Sequence, residues 1–174
     1  MKLFGIALAI VSCGASAVKA DWEYTKWGMT AGQVVSAAKK LTRKSSDLHP
    51  DSDGNVTKLV APYRSGKFSF AAQFGFDAAD RLSSVTLVLN DKFAGMDMNM
   101  GADMNMNMDQ GGCHDLLASV KTAYGPPQAG RSAHMQYIIE TWQDQKNKNN
   151  VTYTVLDGVG CYVLYSAIKP AGAH

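Results

Sequence analysis

The stretch "KFSFAAQFGF", residues 67–76, decides the fold. Phe68, Phe70, Ala72, Phe74 and Phe76 occupy every second position, with Ser69, Ala71, Gln73 and Gly75 between them. Successive side chains of an extended strand point to opposite faces. The stretch therefore predicts a strand with an aromatic face on a core and a small, mostly polar face toward solvent or a thin cover. Such an aromatic stripe is read as core packing rather than as a ligand site.

Working outward, "VTKLVAPYR" (56–64) precedes this strand across Ser65-Gly66, and "RLSSVTLVLN" (81–90) follows the turn "DAAD". Both read as strands. Upstream lies a turn-rich loop, "SSDLHPDSDGN",. Before it, "GMTAGQVVSAAKKLTRK" predicts a helix of about three turns. Thr30 is its N-cap and Gln33 completes a capping box, while Met29 and Val34 stand at the two positions of a hydrophobic staple,. Val34, Val35, Ala37, Ala38 and Leu41 form the apolar stripe, and Lys39, Lys40, Arg43 and Lys44 load the C-terminal end,.

From residue 91 to residue 111 every helix or strand signal is lost, and then the pattern resumes. "CHDLLASVKTAYGPP" spaces Leu116, Leu117, Val120 and Tyr124 as a helix, with Gly125 at the left-handed end and Pro126 and Pro127 forbidding continuation,. Strands follow at "MQYIIETWQDQ", "NVTYTVLD" and "GCYVLYSAI", separated by "KNKN" and "GVG",. Helix-plus-three-strands thus occurs twice, over about 22–90 and 112–168. The predicted class is α+β, a pseudo-repeat of two units forming one antiparallel sheet with both helices packed on one face. Hairpin-length connections argue against parallel strands.

The N-terminus has a different character. Lys2 precedes an apolar run from Leu3 to Val11, and small residues lead to Val18 and Ala20. This is the layout of a secretory signal cleaved after Ala20, and the run is shorter than the roughly 20 residues that span a bilayer. A competing reading places a lipid anchor at Cys13, in the lipobox-like "IVSC", and is the less favoured. Residues 21–174 then make a single domain, expected in the periplasm or outside the cell. Losing Lys2 and Lys19 with the leader brings the 17 basic residues level with the 15 acidic ones. That balance and the lack of a basic block argue against a nucleic-acid partner, and no later run is apolar enough to span a membrane. Cys113 and Cys161 remain as an even pair. In an oxidising compartment a disulfide is the preferred reading, ahead of two free thiols or two metal ligands.

"WGMTAGQV" followed by antiparallel strands resembles the opening of two groups of small exported proteins. One is the small lipoprotein of the outer-membrane β-barrel assembly machine, and the other is the β-lactamase-inhibitor-protein-like (BLIP-like) fold, a tandem of such units. The matching residues are Gly28, Met29, Thr30 and Val34, with Tyr124, Gly125 and Pro127 ending the second helix. The order of elements fits over most of 22–168. The chain departs from the pattern in having one evident helix per unit and a methionine-rich segment. The resemblance implies a protein-binding or assembly role, such as an inhibitor or envelope-assembly factor, and no enzymatic activity.

No catalytic constellation is visible. His49, His114, His134 and His174 are scattered, Glu23 and Glu140 are the only glutamates, and no nucleophile elbow or phosphate loop appears. "DSDGN" (51–55) begins like a calcium loop, but Gly54 comes two positions early and Pro62 stands where a bidentate Glu belongs,. A plain turn is the better reading. Asn55 and Asn150 each begin an "NVT" triplet, a glycan acceptor in a eukaryotic secretory route,.

The exception is "MDMNMGADMNMNMD", residues 96–109. Met96, Met98, Met100, Met104, Met106 and Met108 are six of the nine methionines in the chain, so the segment departs from background usage. Thioethers are soft, uncharged ligands suited to Cu(I) and Ag(I), and they survive oxidation that consumes thiols. Spacing of two turns three sulfurs to one side, and Gly101-Ala102 separates two such triplets. Asp103, Asn105, Asn107 and Asp109 have oxygen-ligand spacing, but Met108 replaces the required Gly and His114 the required Glu, so calcium is a weak fit,. Soft-metal binding is the preferred reading, for metal tolerance or delivery, with Cys113 or His114 able to join if Cys113 is unpaired. Packing over the sheet, contact with a protein partner, a sacrificial role toward oxidants and a neutral insertion stay open.

Overall fold

A computed structural model describes residues 21–39, 41–46, 48–89, 110–128, 137–156 and 160–168. The predicted leader with Cys13, and all six methionines of 96–108, lie outside the described residues.

The long strands form where the period-two pattern placed them. They are β4 (Val56–Ser65), β5 (Phe68–Phe76), β6 (Leu82–Leu89), β7 (Tyr137–Asp144), β8 (Asn149–Leu156) and β9 (Gly160–Ala167). Two short strands, β1 (Asp21–Trp22) and β2 (Thr25–Lys26), make a hairpin of their own, and β3 (Arg43–Lys44) joins the large sheet. That sheet runs β3-β4-β5-β6-β9-β8-β7, every neighbour antiparallel. With the helices α1 (Ala31–Ala37) and α2 (Gln110–Tyr124) the chain is α+β. Two three-strand meanders meet at the β6–β9 seam, the only sheet junction among the described residues between strands not consecutive in sequence.

The aromatic face of β5 is core. Phe70, Ala72, Phe74 and Phe76 are buried, flanked in register by Leu59 and Ala61 of β4 and by Val85, Leu87 and Leu89 of β6. The face continues through Val163, Val151, Tyr153 and Trp142. Val34 of α1 and Cys113, Leu116 and Val120 of α2 belong to the same apolar cluster. At Gly75 both neighbours of β5 shift register, β4 between Thr57 and Leu59 and β6 opposite Phe76. Glycine belongs there because a Cβ would lie 2.2 Å from Ser84 Oγ.

The capping box forms as expected. Gln33 N donates to Thr30 Oγ1, and Thr30 N donates to Gln33 Oε1 at 2.9 Å. The length of this helix is a correction. It spans seven residues, and Lys39 takes a left-handed conformation with φ 51°. Arg43 and Lys44 are not part of a helical last turn; they pair with Val60 and Leu59 along the edge of β4. Val34 and Ala38 already complete the buried stripe, so Leu41 is left 62% exposed. Pairing along an open sheet edge satisfies more backbone groups here than another helical turn would.

The second helix ends as the sequence implies, with Gly125 at φ 80° and its N–H donating to Lys121 O at 2.8 Å. It starts at Gln110, three residues ahead of the predicted beginning at Cys113.

Candidate functional site

Cys113 and Cys161 form a disulfide, and both are buried. This tie fixes the corner where the methionine-rich segment joins the fold. Strand β6 ends at Leu89, one position past the Val88–Tyr162 pair with β9, so the next β9 residue at that end is Cys161. The chain re-enters at Gln110, and Cys113 lies in the first turn of α2. Tyr153 Oη donates to Cys113 O at 2.7 Å, and Lys67 at the β4–β5 turn forms an ion pair with Asp115. That lysine holds the Asp115 carboxyl below its usual range,. The described neighbours of residues 90–109, the end of β6 and the start of α2, thus both stand close to Cys161 or its disulfide partner. With its sulfur in a disulfide, Cys113 is removed from any ligand set, while His114 is exposed.

The acidic loop is a turn. Asp51 Oδ1 accepts from Asp53 N and Asn55 N, and Asn55 Nδ2 donates to Asp51 Oδ2. Its carboxylate is spent on its own backbone, and no cluster of three His, Cys, Asp or Glu fit for a metal occurs among the described residues. Neither "NVT" asparagine has a free side chain, since Asn55 also accepts from Ser83 Oγ and Asn150 donates to Ala167 O.

One cluster went unread in the sequence. Glu23 and Tyr24 form the turn of the β1–β2 hairpin, with Glu23 at φ 51°. Trp22 is buried, and its ring lies 5.0 Å from Tyr63, 5.9 Å from Phe74 and 6.4 Å from Tyr165. Tyr63 Oη donates to Glu23 Oε1 at 2.6 Å. Tyr24 packs edge-on against Trp22 and remains 38% exposed. Tyr165 and Tyr124, the latter in the last turn of α2, are close enough to influence each other, and burial pushes the phenols of Tyr63, Tyr124 and Tyr165 up,. Four residues distant in sequence therefore bring a carboxylate and three phenols together beside a buried indole. The available signal was "DWEYTKW", where one of only two glutamates stands between two aromatic residues.

Glu140 is the other glutamate, and it points from β7 into the core with its side chain 7% exposed. Lys121 Nζ of α2 lies 3.0 Å from both carboxylate oxygens. The angle directs its hydrogen bond to Oε1 and leaves Oε2 without one. Burial, with the nearby Glu140 charge second, raises the Tyr153 phenol. Trp142 Nε1 donates to Gly125 O at 2.9 Å, a second tie between β7 and the end of α2. This is a fastening.

On the face of the sheet opposite the core, the inner strands carry Ala71, Gln73, Thr86, Val88, Leu164 and Thr152, all half-buried. No charged side chain stands on that face of β5, β6, β8 or β9. No helix among the described residues is long and apolar enough to cross a membrane. Comparison with known proteins returned no matching family model, curated protein or solved structure.

Proposed function

We propose that this chain is an exported, non-enzymatic binding protein whose methionine-rich segment captures Cu(I) or Ag(I), for metal tolerance or delivery. The ligands are the thioethers of Met96, Met98, Met100, Met104, Met106 and Met108. One observation supports the reading: the described residues that flank the segment in sequence, the end of β6 at Leu89 and the start of α2 at Gln110, lie next to the Cys113–Cys161 disulfide in chain or register. Ligands on a connection with fixed ends lose less entropy on closing around an ion than ligands on a free tail. The leader-like N-terminus and the disulfide agree with an oxidising compartment, where thioethers outlast thiols. Titration of the protein with Cu(I) against a competing chelator tests the reading. Conversion of all six methionines to leucine abolishes binding if it holds, and unchanged affinity sinks it.

A second reading, a protein-binding module acting as inhibitor or envelope-assembly factor, is favoured by the uncharged part of the sheet face formed by β5, β6, β9 and β8, which is of the kind that partners cover,. The two meanders meeting at β6 and β9 also suit a pseudo-repeat of two units, the architecture implied by the resemblance to BLIP-like and assembly-lipoprotein folds. A partner captured from envelope extract in the presence of a soft-metal chelator supports this reading. Loss of the partner when metal is removed goes against it.

A further inference from the structure

The β1–β2 hairpin presents a carboxylate framed by aromatic rings, and neither metal capture nor the sheet face uses it. We propose that Glu23, with Tyr24 and Tyr63, is a docking point for an arginine side chain of a protein partner. The inference takes its kind of partner from the protein-binding reading and is independent of the methionines.

Three observations converge. Glu23 sits at φ 51°, the geometry required at the first central position of a two-residue hairpin turn, which places its side chain at the tip of the hairpin,. Trp22 anchors the hairpin beside it. It is buried against Tyr63, Phe74 and Tyr165, and Thr25 Oγ1 closes the hairpin by donating to Trp22 O at 2.8 Å. Tyr63 Oη then orients the carboxylate by donating to Oε1 at 2.6 Å, which leaves the remaining lone pairs for a ligand,. Finally, Tyr24 is the one aromatic among the exposed large hydrophobics of the described residues, and it follows Glu23 directly.

A carboxylate beside aromatic faces selects a cation that both forms paired hydrogen bonds and stacks. Guanidinium does both, being planar and more weakly hydrated than an ammonium. The nearest basic side chain of the hairpin, Lys26, belongs to the pair at its open end, opposite Asp21, and not to the turn.

The test uses the purified protein and two peptides, acetyl-Gly-Arg-Gly-amide and its citrulline counterpart, a neutral near-isostere of arginine. Ring resonances of Tyr24 and the indole resonance of Trp22 are followed by NMR. The arginine peptide is expected to give saturable shifts and the citrulline peptide none. Glu23→Gln keeps an acceptor for Tyr63 and weakens binding about tenfold, the loss of a charge-assisted bond. Tyr24→Ala, at an exposed ring, weakens it about threefold. Equal responses to the two peptides, no saturable shift, or undiminished binding by Glu23→Gln overturns the proposal. A partner captured from envelope extract by the parent protein while the peptide test fails leaves the protein-binding reading standing without this contact, so the two failures are distinguishable.

Discussion

The two meanders solve one problem by different means. In the first, β5 lays a ladder of phenylalanines between β4 and β6, and the short α1 adds Val34 and little else. Apolar area holds that half. In the second, the longer α2 is fastened to the sheet by a disulfide to β9, an ion pair to Glu140, the Trp142–Gly125 bond and the Tyr153–Cys113 bond. The difference teaches that the half carrying α2 is held by links of fixed geometry, whereas the other half is held by packing, which is less particular about position.

Disabling the main device of each half breaks the comparison most directly. Phe74→Ala is expected to cost about 3–5 kcal/mol, because it removes a fully buried ring from the centre of the aromatic ladder,. Cys113→Ala with Cys161→Ala is expected to cost about 4 kcal/mol, since the bond closes a loop with a separation of 48 residues,. Urea unfolding of the two variants with and without reductant separates the devices. Reductant further destabilises Phe74→Ala and leaves the double-alanine variant unchanged.

A smaller effect tests the ionic fastening. Lys121→Met strands the buried Glu140 carboxylate, and the half-exposed position of the lysine reduces the loss to about 2 kcal/mol,. Pairing it with Glu140→Leu recovers most of that loss. A double-mutant cycle showing no coupling between the two positions would refute the fastening.

The smallest effect at neutral pH, and the one that sharpens the comparison on the alkaline side, comes from the tyrosines. Burial raises Tyr63 and Tyr165 on the sheet, Tyr124 on α2 and Tyr153 beneath it. Their folded state favours the neutral phenol, while the unfolded chain ionises near pH 10, so their stabilisation is complete below about pH 10 and is lost above it. Denaturation midpoints should stay level through neutral pH and fall beyond that point, with tyrosinate absorbance rising together with unfolding. Absorbance rising well ahead of unfolding would contradict the burial of these phenols.

Much of this was legible in the sequence because it is local. Alternation placed the six long strands, Gly125-Pro126-Pro127 ended α2, and a pair of cysteines gave the disulfide. What escaped is set by tertiary contact. The short α1 and the strand after it depend on the edge of β4, which no window around Lys39 contains. The β1–β2 hairpin is two residues per strand, too short for a period, and Glu23 adopts a backbone conformation its residue type does not announce. Its cluster draws on positions 23, 63, 124 and 165, which only the folded sheet brings together. The six methionines were the plainest signal in the chain, and they fall outside the described residues.

The single out-of-sequence seam, β6 against β9, has a consequence for how this protein can change. Every other junction of the sheet is made by neighbours in the chain and is sensitive to the length of its turn. Strand β6 and helix α2 are separated by twenty positions of sequence, 90–109, and by loop-closure arithmetic each doubling of such a separation costs only about 0.6 kcal/mol,. A change in length between the two meanders therefore leaves the strand pairs of each meander in register, so this junction can take new sequence at small cost in stability,.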